Sequence, residues 1–184
     1  MAVPVVEPDV LKSPETKIQG ETVIETDVEA LIPDIYIEHD AERLDIYRRL
    51  YRCESLEDIH MIRAELKDRF GEYPEEVEHL FQQIELKVIA AKIGFIKVEL
   101  SGELLSLHFP PPEEKEFYEG DEARFQKIMG YIHEMKQFQP RLKQDGKQLK
   151  LLAKIPSSEE SKLRLSAINR FLEGLNSSLL LGEG

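Results

Sequence analysis

Apolar residues recur at helical spacing on both sides of a short polar break at residues 71 to 74. The first stripe is Ile59, Ile62, Leu66 and Phe70. The second, wider stripe is Val77, Leu80, Phe81, Ile84, Val88 and Ala91. Gly71 suits a helix exit with positive φ, and Pro74 lacks an N–H that a first helical position would not use. The pattern predicts one helix ending at Phe70 and a second, packed on two sides, from Pro74 to about Ile93.

Further helices are predicted on either side of this pair. One runs from about Asp40 to Arg52, with Asp40 available as a cap. Ser55 and Asp58 form a capping-box pattern at the start of the helix that ends at Phe70. Another helix covers about residues 121 to 137.

A last helix is predicted to begin near Ser157, with Glu160 three residues on as its capping-box partner. Its expected buried positions are Leu163, Ala167, Ile168, Phe171 and Leu175. The stripe recurs at helical spacing, as expected for a helix with one face against a core.

The period changes to two in two other segments, which predicts strands. Residues 95–100 and 103–109 flank Ser101-Gly102, and residues 141–144 and 148–153 are joined through Asp145-Gly146. Both turns are typical of β-hairpins, and Asp-Gly is among the stronger hairpin signals. The elements together predict a compact α+β domain with about four antiparallel strands, in two hairpins, and about five helices.

The sequence predicts an N-terminal linker followed by a single domain. Residues 1–30 contain Pro4, Pro8 and Pro14 with no sustained period, which predicts a linker or extended segment. Between residues 21 and 37 the β-branched side chains favour an extended strap into the domain. The domain itself is expected over residues 31–178, with a frayed tail at 179–184.

Charge disfavours nucleic-acid binding. The 184 residues have a net charge of −12, and residues 1–38 alone carry nine acidic and two basic side chains. Phosphate contacts require clustered basic side chains. Arg43, Arg48, Arg49 and Arg52 form one such cluster, which leaves a weak nucleic-acid-binding or free-standing adaptor domain as the alternative interpretation. Asp45 lies four residues before Arg49, so a partly paired, solvated face is favoured.

No catalytic, cofactor or metal site is predicted. Gly146-Lys147 lacks the flanking residues of a phosphate-binding loop. The five histidines are scattered, and none pairs with another His or Cys at metal-ligand spacing. Cys53 has no base partner in the pattern. With one cysteine, no signal-peptide pattern and no apolar run of about 20 residues, the chain is expected in a reducing cytoplasm and away from membranes.

Two carboxylates beside the helical break form the strongest candidate site. Glu65 and Asp68 are three residues apart and share a helix face. Arg69 lies four residues after Glu65 and can pair with it, whereas Asp68 has no basic residue at that spacing within its helix. From residues alone, this is either a solvated face or a docking patch for a basic surface.

The same stretch resembles the C-terminal domain of bacterial transcription-repair coupling factors, the DNA translocases known as Mfd. The matching residues around the break are Glu65, Leu66, Asp68-Arg69-Phe70-Gly71, Pro74 and Leu80. Those upstream are Leu31-Ile32-Pro33-Asp34, Arg43-Leu44 and Tyr47-Arg48-Arg49-Leu50. The resemblance covers residues 31–94.

The resemblance implies a non-catalytic regulatory domain. In that family the C-terminal domain folds back on a region similar to the repair protein UvrB and masks the surface that recruits UvrA. Glu65 and Asp68 match the acidic residues at that contact, and Arg69 is adjacent to them, so the resemblance implies an autoinhibitory interface at Glu65, Asp68 and Arg69. The parent implied is an ATP-dependent translocase on double-stranded DNA that acts on stalled RNA polymerase in transcription-coupled nucleotide excision repair.

Overall fold

A computed structural model describes residues 21–120, 123–156 and 161–180. Over these residues the chain forms six α-helices and five strands, which confirms the α+β class. The order is β1 (Val23–Thr26), α1 (Asp40–Tyr51), α2 (Leu56–Phe70), α3 (Glu75–Ile93), β2 (Lys97–Ser101), β3 (Leu104–His108), α4 (Lys115–Tyr118), α5 (Arg124–Ile132), β4 (Arg141–Asp145), β5 (Gln148–Lys154) and α6 (Ser161–Leu180).

One mixed sheet contains all five strands in the order β1-β2-β3-β5-β4. Both predicted hairpins are present, and β3 pairs antiparallel with β5 to join them. Gly102 and Gly146 turn the hairpins with φ of 58° and 62°, conformations that glycine adopts at little cost.

The fifth strand is the main difference from the expected count of about four. β1 pairs parallel with β2, with Val23 opposite Lys97, and the buried Thr22 hydroxyl donates to the Phe95 carbonyl at 2.7 Å. The predicted linker over residues 1–30 therefore joins the sheet before residue 31, because its β-branched residues occupy the open edge of β2. Residues 1–20 lie outside the described residues.

Two helical predictions differ in their bounds. The helix expected over residues 121–137 is the shorter α5, followed by a 3-10 turn at Lys136–Phe138. Phe138 turns inward against Phe171, with ring centroids 5.0 Å apart, and Pro140 lies two residues further on. The short α4 was not predicted.

The last helix is observed as α6, whereas Ser157 and Glu160 of the predicted cap fall outside the described ranges. The expected burial of Leu163 is wrong, because this side chain is 53% exposed and Leu165 is buried instead. Leu179 is buried within the helix, so α6 continues past the predicted boundary at residue 178. Residues 181–184 are not described.

α3 joins two apolar cores, as its two-sided stripe predicted. Its first half packs with α1, α2 and the segment 30–37, around Phe81 and Ile84. Its second half packs with the sheet, α5 and α6, around Ile89 and Ile93. The helical half of the domain is thereby fixed to the sheet through one continuous element.

The segment between β1 and α1 is tied to the helices by side-chain hydrogen bonds. The Tyr47 hydroxyl accepts from the Ile32 amide at 2.6 Å, and Gln83 donates to the Val28 carbonyl at 3.1 Å. The Tyr36 hydroxyl lies 3.2 Å from the Leu66 carbonyl and 3.0 Å from the Gly71 carbonyl. The Tyr36 hydroxyl therefore contacts the backbone at the end of α2, where its single hydrogen can be donated to one of these two carbonyls.

Candidate functional site

Local signals fix both ends of α2, the helix that carries the predicted site. Ser55 and Asp58 form the predicted capping box, with reciprocal hydrogen bonds of 3.1 Å. At the other end Gly71 has a φ of 79°, which explains why glycine occupies this exit. Pro74 is the N-cap of α3 rather than its first helical residue, a shift of one position from the prediction.

Glu65 lies at the centre of an ion-pair network between α1 and α2. Arg49 donates to both carboxylate oxygens of Glu65 from α1. Arg69 donates to Glu65 at 2.8 Å from one guanidinium nitrogen and to Glu42 at 2.8 Å from another. Bidentate Arg–carboxylate pairs are directional, so the network fixes the orientation of α1 against α2.

The ion-pair network lowers the pKa of the Glu65 carboxyl. Hydrogen bonds from Arg49, and one from Arg69, lower the pKa of Glu65 to about 2 against the opposing effect of burial. Because this value is below the ordinary 4.5, the network stabilises the fold above pH 4.5, and that contribution is lost as pH falls through about 2. At neutral pH Glu65 is an anion whose charge is already paired.

Asp68 differs from Glu65. Its side chain is exposed, and it makes no hydrogen bond or ion pair with any residue that the structure describes. The predicted pair at this site therefore divides into a carboxylate held by two arginines and a carboxylate open to solvent. Of the two, Asp68 is the one able to accept a new cationic partner without losing an existing one.

Met61 is an apolar neighbour that sequence reasoning missed. Its side chain is 72% exposed, and residues 61, 65 and 68 follow the i, i+4, i+7 spacing of one helix face. A shallow groove of about 380 Å³ beside Met61 is lined partly by Arg52 and Ile62. The signal was present, because Met61 is out of phase with the buried Ile59 and Ile62. We call Met61, Glu65, Asp68 and Arg69 the docking face.

Only part of the predicted arginine cluster is free. Arg43 donates to the Ile37 and Glu38 carbonyls and pairs with Asp40. Arg49 is held by Glu65. Arg48 and Arg52 are exposed, and neither has an ion-pair partner within the described ranges.

A second network of ion pairs joins α2, the helix that carries the docking face, to α3. Arg63 of α2 donates to Glu78 at 2.6 Å and to Glu85 at 2.8 Å. Its guanidinium also lies over the Phe81 ring, 4.6 Å from the centroid. Burial alone would raise the pKa of Glu78, but hydrogen bonds from Arg63 and Tyr73 lower it below the ordinary value. These pairs fix α2 against α3.

The described part of the chain contains no group of three or more His, Cys, Asp or Glu side chains that could hold a metal ion. No described helix is both long enough and apolar enough to cross a membrane. Cys53 is buried, and burial raises the pKa of its thiol, so the thiolate is disfavoured at neutral pH.

Comparisons with known proteins identify the family of the chain. A family model, the TRCF domain, matches residues 26–119, just over half of the chain. The transcription-repair-coupling factor of Staphylococcus aureus strain USA300 is 32% identical over 98 residues, which is 53% of this chain and 8% of the relative. That of Bacillus subtilis strain 168 is 40% identical over 72 residues, 39% of this chain and 6% of the relative.

The fold has a solved counterpart. A crystal structure of the C-terminal domain of transcription-repair coupling factor matches with a TM-score of 0.68 at 19% identity, covering 89% of this chain and 96% of that one. At this identity the match supports the fold alone. The chain spans less than a tenth of the length of its curated relatives. The family match shows that the chain belongs to the TRCF domain family, the C-terminal domain of transcription-repair coupling factors.

Proposed function

We propose that this domain is a reversible latch. By this we mean that the docking face binds the UvrB-like region of the same parent chain and covers the surface that recruits UvrA. The latch opens when the parent, an ATP-dependent translocase on double-stranded DNA, engages stalled RNA polymerase. The domain itself performs no catalysis and needs no cofactor. The observation that carries the proposal is the exposed Asp68, which has no partner among the residues that the structure describes, beside the exposed Met61 on one helix face.

We infer different roles for the two carboxylates, Glu65 and Asp68. Asp68 would pair with an arginine or lysine of the partner, because its charge has no competing partner among the described residues. Glu65 would act mainly by holding Arg69 and α1 in place, since both its oxygens already accept hydrogen bonds. Arg69 is 41% exposed and could donate to a partner carbonyl or carboxylate. Met61 would supply the apolar contact.

The expected binding free energy of the docking face suits a contact that can open again. A rim ion pair contributes ~0.2 to 1 kcal/mol, and burying the exposed part of Met61 contributes roughly 1 to 2 kcal/mol. A contact with a Kd of about 0.1 mM and a tether that supplies ~1 mM effective concentration gives a closed-to-open ratio of about 10. Because the closed state is favoured by only about tenfold, one further binding event that prefers the open state can reverse the equilibrium.

The test is calorimetric binding of this chain to the UvrB-like region supplied in trans at low salt. We expect wild type to bind and Asp68→Ala to bind about three- to fivefold more weakly, from the loss of one ion pair. Met61→Ala should weaken binding by about tenfold. Glu173→Ala is the matched control, because it removes an exposed carboxylate from α6 and should leave the affinity unchanged.

Three outcomes would count against the latch. Equal affinities for wild type, Asp68→Ala and Met61→Ala would show that the contact with the UvrB-like region does not use this face of α2. No detectable binding at about 1 mM would make the assumed effective concentration insufficient to hold the latch. Salt-dependent binding to duplex DNA that is lost in Arg48→Ala/Arg52→Ala would support the nucleic-acid-binding alternative instead.

A further inference from the structure

The β4–β5 hairpin has a charge opposite to that of the rest of the chain. Residues 141–154 contain five of the 24 basic residues and one of the 36 acidic residues. The hairpin is therefore +4 within a chain of net charge −12, which leaves −16 for all other residues. Segregation of this kind creates a local positive potential on an acidic protein.

The hairpin also ends the sheet. β4 is the edge strand, and its five residues are all exposed. Its backbone pairs with β5 on one side and with no other described element on the other. Arg141 and Lys143 project to the same face of the strand, and neither has an ion-pair partner in the described part of the chain. Leu142 lies between them, 44% exposed.

A groove begins where β4 begins. Its volume is about 370 Å³, and its lining includes Leu104, Leu152, Gln139 and Arg141. Leu104 is 43% exposed although it lies in a central strand. Gln139 has a φ of 46°, the only positive value for a non-glycine residue in the described ranges. Backbone strain of this kind concentrates at binding sites.

We propose that the β4 edge binds an extended acidic peptide segment as a sixth strand. Main-chain hydrogen bonds to β4 would supply affinity, and alternating side chains would supply specificity. On one face carboxylates would meet Arg141 and Lys143, and on the other aliphatic side chains would meet Leu142. The partner therefore alternates acidic and aliphatic residues.

Charge and composition favour this partner over two others. Neither the hairpin nor the groove lining contains an aromatic side chain on which the bases of a single-stranded nucleic acid could stack. A second copy of the chain, paired through the same edge, would bring two sets of basic side chains together, which is unfavourable across strands.

The test is fluorescence anisotropy with a labelled eight-residue peptide of alternating Glu and Val. We expect saturable binding that is about tenfold weaker for Arg141→Ala/Lys143→Ala. Lys162→Ala/Arg170→Ala is the matched control, because it removes two exposed basic residues from α6. Hydrogen exchange should show that the peptide protects the amides of β4.

Any one of three results would overturn the proposal. Equal peptide affinity for both double variants, or unchanged exchange at β4 in the saturated complex, would exclude this edge as the site. Tighter binding to a labelled single-stranded 20-nucleotide DNA, lost in Arg141→Ala/Lys143→Ala, would identify a nucleic-acid site instead.

Discussion

Arg63→Ala is expected to lower the free energy of unfolding by about 3 kcal/mol at pH 7. The Arg63 side chain is 23% exposed and joins Glu78 and Glu85, whose side chains are 23% and 14% exposed. Removing one member of a buried pair costs about 3 to 5 kcal/mol, because the remaining charge is left without a partner. Two carboxylates are left here, and their partial exposure reduces the cost to the lower end of that range. Denaturant unfolding followed by circular dichroism measures the change.

Arg48→Ala is the control for this prediction. Arg48 is an exposed arginine of α1 without an ion-pair partner in the described structure, so its removal should change stability by less than about 0.5 kcal/mol. The Arg63 effect should decrease in acid, because Glu78 has a lowered folded-state pKa and its contribution is present only while it is ionised. A loss below about 1 kcal/mol at pH 7 would mean that the network does not fix α2 on α3.

Gly94→Ala is expected to destabilise the domain by about 2 to 3 kcal/mol. Gly94 ends α3 with a φ of 110°, a conformation unfavourable for alanine. A Cβ placed there would lie 2.6 Å from Cε2 of Phe117. Phe117 packs edge-on against Phe109, with centroids 6.0 Å apart, so relief of the clash would disturb the aromatic part of the sheet core.

Gly120→Ala separates the two causes. Gly120 also has a positive φ, of 105°, close to that of Gly94, but nothing lies within 4 Å of the position its Cβ would take. This variant should lose only about 1 kcal/mol in the same unfolding experiment. Equal losses for both variants would show that the contact with Phe117 contributes nothing and that backbone conformation explains the whole effect.

The α2–α3 joint could be predicted because its determinants are local. The capping box at Ser55, the exit at Gly71 and the apolar stripes all act within a few residues of their own position. The two hairpins were predictable for the same reason, since two-residue turns set their register. These signals are independent of the partner against which an element packs.

The features that sequence reasoning missed depend on distant contacts. Pairing of β1 with β2 joins residues more than 70 positions apart, as between Val23 and Lys97. Leu163 has the spacing of a buried residue but lies on the exposed side of α6, because the packing against α3 uses Leu165 and its neighbours. Periodicity cannot choose between two adjacent apolar stripes when the facing element is unknown.

The sequence predicted which residues form the candidate site, but it did not predict which of them pair with one another. The Glu65–Arg69 pair follows from i, i+4 spacing and is present at 2.8 Å. The stronger partner of Glu65 is Arg49, which comes from another helix and so gave no local signal. That second arginine changes the expected roles, because it leaves Asp68 as the only carboxylate of the docking face without a partner among the described residues.

UvrA binding by the full-length parent, without polymerase, tests the masking claim most directly. A closed-to-open ratio of about 10 predicts that Asp68→Lys, which replaces attraction by repulsion, raises UvrA affinity by up to about tenfold over wild type. Glu173→Lys should leave the affinity at the wild-type value. If the Asp68→Lys parent binds UvrA no more tightly than wild type, while the same change abolishes docking in trans, the docking face does not cover the UvrA-recruiting surface.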